Sequence, residues 1–373
     1  MFNEAELAWY SRHLLLPELG LRGQERLRSA RVLVVGAGGL GCPMLQYLAA
    51  AGVGHIGMID GDRVDISNLH RQVLYTIEEV GQLKVVAAKK RLQALNPHIQ
   101  IETFPIFLDR DNAIDILSKY DIVADGSDNF ATRYLVNDAC VLAGKVNVYA
   151  SVYRFEGQVA VFNYAWPDGQ RSAHYRDLYP LPPAAGAVPN CAESGILGVL
   201  PGIIGCMQAN EVIKIITGIG EPLAAKLLLF DATTMHTQLI GLPRISRHPI
   251  TSLMDYEAFC TPATTPPVKS LTIEKLQLLQ AQGADIQLVD VREPHEKAAL
   301  DIGGECIPLQ HITAMQHRIA PDRMVVIYCQ SGQRSQQAIQ RLEAMQAYHN
   351  LYNLEGGVIA WSQKTAGMHT DKP

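Results

Sequence analysis

Three glycines near the start of the chain have the spacing of a phosphate-binding turn. Gly36, Gly38 and Gly41 form the pattern G-x-G-x-x-G, between an apolar run at 32–35 and helical apolar spacing at 42–51. Glycines let the backbone approach a phosphate closely, and the free N–H groups of a helix N-terminus attract it. The stretch 31–41 therefore predicts the start of a nucleotide-binding βαβ unit, in preference to a strand–helix turn without a ligand.

Charged residues downstream indicate the reaction. Asp60 follows a second apolar run, at the distance where an acid accepts a hydrogen bond from a ribose hydroxyl. These features alone would fit a NAD-dependent dehydrogenase, but hydride transfer does not need Arg71, Lys84 or Asp128. Two cations and a carboxylate suit a nucleoside triphosphate with Mg²⁺, because the cations neutralise charge on a transferred phosphoryl or adenylyl group and the carboxylate holds the metal. Taken singly, each charge would be interpreted as a solvated surface group.

A second reactive group lies far down the chain, in the stretch Cys329-Gln330-Ser331-Gly332-Gln333-Arg334-Ser335. Cys329 stands between an apolar run at 324–328 and a predicted helix at 336–347. The N–H groups of such a loop, the helix N-terminus and Arg334 would stabilise a thiolate. A core cysteine is not expected in so polar a loop, so we predict a nucleophilic cysteine.

The elements that position these groups alternate between strands and helices. In the first part of the chain, apolar runs predict strands at 32–35, 55–59, 99–104, 121–124, 147–152, 157–163 and 227–230, with helices between them. This alternation predicts a Rossmann-like α/β domain with a doubly wound, mostly parallel sheet over residues 1–243. The proline-rich composition predicts a linker at 244–269. A second, smaller α/β domain is predicted at 270–373.

Composition excludes several classes of function. The chain has 373 residues, of which 48% are hydrophobic and 18% charged, as is typical of a globular protein with two domains. A net charge of -5 gives no sign of a nucleic-acid partner. Seven cysteines without a C-x-x-C pair do not indicate disulfides, so a cytoplasmic location is expected. The longest uncharged apolar run, at 195–207, is too short to predict a membrane span, and no signal peptide is expected.

The ordered motifs of residues 1 to about 243 resemble those of the MoeB/ThiF family, bacterial relatives of ubiquitin-activating enzymes. The matching segments are Tyr10-Ser-Arg-His, Gly36-Ala-Gly-Gly-Leu-Gly, Asp60-Gly-Asp, Asn68-Leu-His-Arg-Gln, Gly81-Gln-Leu-Lys, Asn96-Pro, Asp125-Gly-Ser-Asp-Asn and Pro189-Asn-Cys-Ala-Glu-Ser-Gly. The resemblance implies adenylation of the C-terminal Gly-Gly carboxylate of a small ubiquitin-like sulfur-carrier protein.

The same resemblance implies roles for individual residues. ATP and Mg²⁺ would be bound by Gly36, Gly38, Gly39, Gly41, Asp60, Asn68, Arg71, Gln72, Lys84 and Asp128, with Asp128 as the magnesium ligand. Arg71 and Asp128 would also be catalytic. Arg12 would contact the phosphates from the other subunit of a homodimer. Cys191 would act in a later sulfur-transfer step, although a role as a small buried hydrophobic residue stays open.

Residues 270–373 resemble a rhodanese domain, through Asp290-Val-Arg-Glu, Ile307-Pro-Leu, the loop 329–335 and Leu354-Glu-Gly-Gly-Val-Ile-Ala-Trp. Cysteine phosphatases have a similar loop with one more residue between Cys and Arg, so the shorter loop favours sulfur over phosphate. The resemblance implies a persulfide on Cys329, supplied by a donor such as a cysteine desulfurase or thiosulfate. Asp290 and Arg292 are interpreted as structural.

Together the two resemblances indicate an enzyme of the MoeB–rhodanese fusion type. It would be an adenylyltransferase and sulfurtransferase that converts the carrier to a thiocarboxylate, for molybdopterin, thiamine, tRNA thiolation or a related sulfur pathway. One alternative is an enzyme that adenylates another carrier or a peptide, with a vestigial rhodanese domain. Another is a non-catalytic scaffold that docks a ubiquitin-like protein. The presence of Cys329, Arg334, Lys84 and Asp128 argues against both.

One feature of the family is expected to be absent. Close members hold a structural zinc with two C-x-x-C pairs, and the matching positions here are His174 with Asp177 and His248 with Thr251. Structural zinc sites are normally four-coordinate and rich in thiolates. Two histidines and an aspartate could still form a three-ligand site, but threonine is a poor fourth ligand. We therefore predict no tightly bound zinc in the first domain.

Overall fold

The computed structural model describes residues 2–183, 195–260, 268–345 and 348–367. The chain divides into two compact units, Met1–Thr261 and Pro262–Pro373. Cys191, the candidate for the later sulfur-transfer step, lies outside the described residues.

An eight-stranded sheet runs through the described part of the first unit. Its strands are β1 (Arg31–Val35), β2 (His55–Ile59), β3 (Gln100–Phe104), β4 (Ile122–Asp125), β5 (Val146–Tyr153), β6 (Glu156–Phe162), β7 (Lys226–Asp231) and β8 (His236–Gly241). Their order across the sheet is β3-β2-β1-β4-β5-β6-β7-β8. Strands β1 to β5 pair in parallel, and β6 to β8 extend the sheet in antiparallel pairs. The predicted Rossmann-like, mostly parallel α/β fold is confirmed.

Helices cover both faces of this sheet. They are α1 (Glu4–Trp9), α2 (Ser11–Leu14), α3 (Gly20–Ser29), α4 (Gly41–Ala51), α5 (Lys84–Leu95), α6 (Ala113–Leu117), α7 (Phe130–Leu142), α8 (Tyr175–Leu178), α9 (Val199–Thr217) and α10 (Tyr256–Cys260). Val32 and Val34 of β1 belong to an apolar cluster with α4 and α5, whereas Leu33 and Val35 join α6 and α7 on the opposite face. Burial on both faces explains why β1 is a continuous apolar run.

The strand order places the predicted site. Strand β1 pairs in parallel with β2 on one side and with β4 on the other, so the order of strands reverses at β1. Open α/β sheets bind ligands beside such a reversal, beyond the carboxyl ends of the strands. Gly36 follows β1, Asp60 follows β2 and Asp128 comes three residues after β4 ends. The topology therefore brings these predicted groups to one edge of the sheet.

Helix α9 is long and apolar but lies in the core of the first unit. Among the described residues it is the one helix that length and composition would allow to cross a membrane. Its buried residues join two apolar clusters against the sheet. Gln208 donates from Nε2 to the carbonyl oxygens of Asp125 and Val148, at 2.8 and 2.7 Å. The helix begins at Val199, so Pro201 lies in its first turn. A proline is tolerated there because it breaks no helical hydrogen bond.

Residues 244–260, which the composition assigns to a linker, pack against the first unit. Tyr256 on α10 is buried, and its hydroxyl donates to Asp138 Oδ2 at 2.8 Å. The ring of Phe259 meets that of Tyr134 edge-on, with centroids 5.2 Å apart. The change of composition at residue 244 therefore marks the end of the sheet strands, whereas the two compact units separate after Thr261.

The second unit contains a smaller parallel sheet. Its strands are β9 (Ser270–Leu271), β10 (Ile286–Asp290), β11 (Glu305–Cys306), β12 (Met324–Tyr328) and β13 (Leu351–Leu354), in the order β11-β10-β12-β13-β9. The helices are α11 (Ile273–Ala281), α12 (Pro294–Ala299), α13 (Gln333–Met345) and α14 (Gly357–Gly367). Helix α13 begins at Gln333, three residues earlier than predicted, so Arg334 and Ser335 lie on its first turn and not in a loop.

Candidate functional site

A cleft that is open to solvent lies at the carboxyl ends of β1, β2 and β4. It brings together most of the predicted binding residues: Gly36, Gly38, Gly39, Asp60, Arg71, Gln72, Lys84 and Asp128. Three other predicted residues, Gly41, Asn68 and Arg12, do not line it. The sequence motifs therefore converge on one cavity in the described part of the first unit.

The glycine turn brings the ends of two strands and a helix into close contact. Gly36 has a φ of +88°, which favours glycine, and a Cβ there would lie 3.0 Å from the carbonyl oxygen of Gly126 after β4. A Cβ on Gly41 would lie only 2.0 Å from the carbonyl oxygen of Gly36. Gly41 thus allows α4 to pack closely on the turn. This packing role explains why Gly41 does not line the cleft.

Gly38 and Gly39 leave backbone exposed to the cleft. A Cβ on Gly39 would lie 3.0 Å from Pro201 on α9 and 3.8 Å from Cδ of Arg71. A Cβ on Gly38 would lie 3.7 Å from Nε2 of Gln72. Side chains at these positions would fill the space between the turn and Arg71. The open backbone beside a guanidinium is suited to an anionic group such as a phosphate.

Asp60 is fixed by the backbone that surrounds it. Its Oδ2 accepts from the N–H of Ala37 in the glycine turn, and its Oδ1 accepts from the N–H of Asp62, both at 2.8 Å. Burial raises the pKa of Asp60, and the nearby ammonium of Lys84, 3.9 Å from Oδ2, counteracts this rise. The carboxylate is therefore held in one orientation at the end of β2, where it lines the cleft.

Lys84 is a buried cation at the N-terminus of a helix, where a positive charge is unfavourable. It is the first residue of α5, where the partial positive charge of the helix N-terminus repels a cation. Its side chain is only 7% exposed, and Nζ is 2.8 Å from Oδ2 of Asp62. Asp62 stands in the motif Asp60-Gly-Asp, but no role was predicted for it from the sequence. A buried cation at such a position is expected where a ligand carries negative charge.

Arg71 and Gln72 follow a short 3₁₀ turn, Ile66–Asn68. Arg71 Nη1 donates to the carbonyl oxygen of Ser67 at 2.9 Å, which holds the guanidinium at the edge of the cleft. Gln72 is buried, and its Oε1 has no hydrogen-bond partner within the described residues. An unpartnered buried amide oxygen beside the cleft fits a bound polar group, because it is costly without one.

Asp128 lies exposed on the cleft wall that follows β4. The neighbouring Ser127 also lines the cleft, and its N–H donates to Oδ1 of Asp125 at 3.0 Å. Asn129 next to them caps α7 by accepting from the N–H of Thr132 at 2.8 Å. The cap fixes the start of α7 directly after Asp128, so the carboxylate lies on the short connection between β4 and α7.

Two predicted residues lie elsewhere for clear reasons. The amide of Asn68 contacts Oγ of Ser67 within its own turn, at 3.4 Å. Arg12 is exposed on α2. The preceding Tyr10 accepts at its hydroxyl from Asn96 Nδ2, which also donates to the carbonyl of Ala49 near the end of α4. Since α4 begins at the cleft and is about 16 Å long, Arg12 lies near the far end of the first unit.

Apolar residues complete the cleft, and sequence reasoning did not find them. Ile106, Phe107 and Leu108 follow β3, and Phe107 lies close enough to Gly61 that a Cβ there would be 2.8 Å from its ring. Phe107 is 67% exposed, an unusual state for a large aromatic residue beside a cavity. This wall suits a flat apolar group such as a nucleobase, and no spacing in the sequence distinguished it from core residues.

In the second unit, Cys329 lies at the carboxyl end of β12. Its side chain is buried, and Sγ accepts from the N–H of Gly332 at 3.1 Å. Ser335 Oγ is 3.5 Å from the sulfur and 2.6 Å from Oδ1 of Asn353 on β13. The chain thus forms a small cradle around one sulfur atom, with an N–H group aimed at it, as a thiolate requires.

The N-terminus of α14 holds this cradle in shape. The carbonyl oxygens of Cys329 and Gln330 accept from the N–H groups of Val358 and Ile359, at 2.9 and 3.1 Å. A Cβ on Gly357 would lie 2.2 Å from the Cys329 oxygen, so only glycine allows this approach. Because the carbonyls are directed to α14, the loop N–H groups stay available to the sulfur.

Arg334 is paired with a residue that the sequence did not single out. Its two terminal nitrogens donate to the two carboxylate oxygens of Glu296 on α12, each at 2.7 Å. The guanidinium holds the pKa of Glu296 at about 2. The predicted positive charge of Arg334 beside the thiolate is therefore largely compensated.

Asp290 and Arg292 form a structural pair. Arg292 is 1% exposed, and its Nη2 donates both to Asp290 Oδ2 and to the carbonyl of Leu300, at 2.7 Å. These contacts tie α12 to the end of β10. They support the interpretation of both residues as structural.

The four positions of the lost zinc pairs are partly joined by direct hydrogen bonds. His174 Nε2 lies 2.8 Å from the carbonyl oxygen of His248, which can only accept, so Nε2 carries the proton. Asp177 Oδ1 accepts from Ser246 Oγ and from the N–H of Arg247, at 3.2 and 2.8 Å. Burial lowers the pKa of His174. Within the described ranges, no group of three or more His, Cys, Asp or Glu side chains is arranged to hold a metal ion.

Comparison with known proteins matches a family to each of the two units. The ThiF family model matches residues 10–249, and the rhodanese-like domain model matches residues 272–364. The chain is 45% identical to "Probable adenylyltransferase/sulfurtransferase MoeZ" of Mycobacterium tuberculosis, over 97% of this chain and 94% of that protein. It is 40% identical to "Adenylyltransferase and sulfurtransferase MOCS3" of Danio rerio, over 97% and 86%. A "Sulfur carrier protein adenylyltransferase" of Thermus thermophilus is 52% identical over 69% of this chain and 98% of its own length.

Solved structures show the same fold over about two thirds of the chain at low identity. The crystal structure of E. coli MccB with AMPCPP and MccA has a TM-score of 0.56 and 22% identity, over 65% of this chain and 73% of that chain. The structure of PaaA has a TM-score of 0.52 and 24% identity, over 65% and 76%. The chain belongs to the ThiF family, carries a C-terminal rhodanese-like domain, and is an adenylyltransferase and a sulfurtransferase.

Proposed function

We propose that the chain adenylates the C-terminal glycine of a small ubiquitin-like sulfur-carrier protein, and that sulfur held on Cys329 then converts this terminus to a thiocarboxylate. The observation that carries the proposal is the convergence of Arg71, Lys84 and Asp128 on one cleft beside an open glycine turn. The relative named as a sulfur carrier protein adenylyltransferase supports the same substrate.

The first step activates a poor electrophile. A carboxylate oxygen of the carrier attacks the α-phosphorus of ATP, and the bond from this phosphorus to the bridging oxygen breaks, so that pyrophosphate leaves. Arg71, Lys84 and the N–H groups of the glycine turn stabilise charge on the phosphates, and Asp60 orients the nucleotide through a ribose hydroxyl. The acyl-adenylate that results carries a good leaving group, AMP.

Asp128 is the proposed magnesium ligand. A single exposed carboxylate fits this metal, because Mg²⁺ in nucleotide sites takes most of its ligands from phosphates and water. When bound, Mg²⁺ supplies positive charge to the triphosphate. The unpartnered Gln72 Oε1 fits a ligand in the same cleft.

The second step uses the persulfide. Its terminal sulfur attacks the acyl carbon, AMP leaves, and the carrier becomes joined to Cys329 through an acyl disulfide. A thiolate then attacks the Cys329 sulfur and releases the carrier thiocarboxylate, and Cys191 is our candidate for this thiolate. A disulfide between the two cysteines results, and a cellular thiol reductant reduces it. The cradle N–H of Gly332 is placed to stabilise the Cys329 thiolate that this reduction restores.

The proposed setting is the cytoplasm, where thiols stay reduced. Cys42, Cys140, Cys206, Cys260, Cys306 and Cys329 are all free cysteines. A cysteine desulfurase persulfide or thiosulfate supplies the sulfur. The thiocarboxylate serves molybdopterin or thiamine synthesis, tRNA thiolation or a related sulfur pathway.

We also propose that the protein acts as a homodimer. Arg12 is exposed and does not line the cleft of its own chain, so its proposed contact with phosphates would be made in another copy. Leu15 and Leu16 beside it are 70% and 50% exposed, and Trp9 is 44% exposed. Several exposed large apolar residues close together in the chain are typical of a subunit interface.

ATP–pyrophosphate exchange with a candidate carrier tests the proposal. We expect exchange with a carrier that ends in Gly-Gly and none with the same carrier shortened by one glycine. Exchange that is equal with both carriers, or absent with every carrier captured from the native host, would contradict it and favour the scaffold alternative.

A further inference from the structure

We propose that Glu296 determines which sulfur donors react at Cys329, because it neutralises Arg334 beside the cradle and so disfavours anionic donors. This inference rests on the proposed role of Cys329 as the sulfur carrier. It goes further in assigning donor selectivity to a residue outside the reactive loop.

The geometry places a compensated charge pair at the reactive sulfur. Arg334 is the one charged residue of the segment 329–335. It lies on the first turn of α13, directly after the loop that surrounds Sγ of Cys329, and both of its terminal nitrogens are bound to Glu296. Each side chain of the pair is about a quarter exposed, so the pair lies at the surface of the unit and not in its core. An incoming donor therefore meets a guanidinium whose charge is already matched.

Glu296 is fixed in this place by its own helix. Its Oε2 also accepts from the N–H of Glu293, as the third residue of α12 in a capping box. The buried Arg292 nearby is itself paired with Asp290, so it adds no uncompensated charge at this edge. Glu296 is thus a fixed negative charge beside the cradle, carried by a short helix that the Asp290–Arg292 pair anchors.

The reaction makes the donor's charge decisive. When thiosulfate is the donor, the Cys329 thiolate attacks the outer sulfur, the S–S bond of thiosulfate breaks, and sulfite leaves with the electron pair. The dianion must approach a thiolate, so each positive charge nearby lowers the barrier and each negative charge raises it. For a donor with less negative charge, charges near the thiolate change the barrier less.

Thiosulfate kinetics with cyanide as acceptor test the proposal in the full chain. Glu296→Gln removes one negative charge and keeps the cap, because glutamine also serves in capping boxes. We expect kcat/KM for thiosulfate to rise about five- to ten-fold at low ionic strength, which corresponds to one unit charge about 7 Å from a dianion in water. Added salt should reduce the gain. Glu343→Gln, the same change on α13 away from the cradle, should have no effect.

Variants of Arg334 and Glu296, alone and combined, distinguish an effect of charge from a structural effect. Arg334→Gln leaves Glu296 uncompensated, so kcat/KM for thiosulfate should fall below that of the parent protein. The double variant Glu296→Gln with Arg334→Gln restores neutrality, and its value should return close to the parent value. A merely structural role predicts losses in both single variants and a larger loss in the double variant.

Alkylation reports on the same charge without turnover. Rates of modification at Cys329 are measured by peptide mass spectrometry with iodoacetate, an anion, and iodoacetamide, which is neutral. Glu296→Gln should raise the rate ratio of iodoacetate to iodoacetamide about two- to three-fold, as expected for a singly charged reagent. An equal change with both reagents would indicate altered exposure of the sulfur and would overturn the inference.

The outcomes separate this inference from the proposed function. If Cys329→Ser keeps transfer of sulfur from thiosulfate to cyanide, the proposed role of Cys329 fails. If Cys329→Ser abolishes it while Glu296→Gln changes neither the thiosulfate kinetics nor the alkylation ratio, the role of Cys329 stands and the selectivity role of Glu296 is refuted.

Discussion

The carbonyl oxygen of Gly36 lies 2.0 Å from the point where a Cβ on Gly41 would stand. The third glycine of the motif therefore serves the packing of α4 on the turn that follows β1, whereas the glycines between them leave backbone open to the cleft. One short motif thus combines a packing requirement with a binding surface.

We expect Gly41→Ala to destabilise the first unit by about 1–3 kcal/mol, because the methyl group forces the turn and α4 apart. Gly202→Ala is the matched control. Gly202 is also helical, and a Cβ there meets no atom within 4 Å, so alanine should be neutral or stabilise by up to about 1 kcal/mol. Urea unfolding measures both. Equal stability of the two variants would refute the packing role.

Lys84→Met should reduce carrier-dependent pyrophosphate exchange by about 10²–10³-fold, because a cation aimed at developing negative charge is lost. The uncharged side chain suits the buried site, so the fold should survive, as circular dichroism can verify. Lys90→Met, at an exposed position of the same helix, is the control. Near-parental exchange by folded Lys84→Met would remove this residue from the proposed site.

The pairing of Glu296 with Arg334 predicts a dependence of stability on pH. The hydrogen bonds from Arg334 lower the pKa of Glu296 from 4.5 to about 2. The pair's contribution to stability is therefore complete above pH 4.5 and is lost as the pH falls towards 2. We expect this contribution to be on the order of 1–2 kcal/mol, since both groups are partly exposed.

Pulse proteolysis in graded urea measures this effect, with fragments of the second unit followed by mass spectrometry. Glu296→Gln should flatten the pH profile of the second unit between 4.5 and 2 and leave that of the first unit unchanged. A profile that keeps its slope in the variant would assign the titration to another group.

Zinc content tests the interpretation of the His174 region. The proton on Nε2 of His174 is directed to the carbonyl of His248, and Asp177 is occupied by hydrogen bonds from residues 246–248. We therefore expect elemental analysis of protein purified without a metal-affinity tag to find no stoichiometric zinc after dialysis against a chelator. One retained zinc per chain would contradict this and point to His174, Asp177 and His248.

The parts of the fold that could be predicted were those with buried, periodic apolar residues. Strand β1, the glycine turn and α4 have nearly the predicted bounds, because both faces of β1 are buried and the glycines mark its end. Strand β8 was not predicted, since all of its residues are exposed and it has no apolar run. The short helix α10 was not predicted, because the segment that contains it has the composition of a linker.

The residues of the candidate site also divide into those that could be predicted from the sequence and those that could not. The glycines and most of the charged residues that line the cleft follow predicted strands or stand in recognisable motifs, so the sequence could identify them. The Glu296–Arg334 pair joins residues 38 positions apart, and Phe107 lines the cleft through tertiary packing alone. Such relationships depend on how the elements pack, and local spacing does not encode them.

Formation of the carrier thiocarboxylate tests the central claim most directly. The full chain, a carrier ending in Gly-Gly, ATP, Mg²⁺, thiosulfate and a thiol reductant are incubated together, and mass spectrometry follows exchange of one carrier oxygen for sulfur. We predict formation by the parent protein, none by Asp128→Ala or Cys329→Ser, and less by Cys191→Ala. Asp128→Ala should also lose pyrophosphate exchange, whereas Cys329→Ser should keep it. Thiocarboxylate at the parental rate from Cys329→Ser, or from folded Asp128→Ala, would contradict the account.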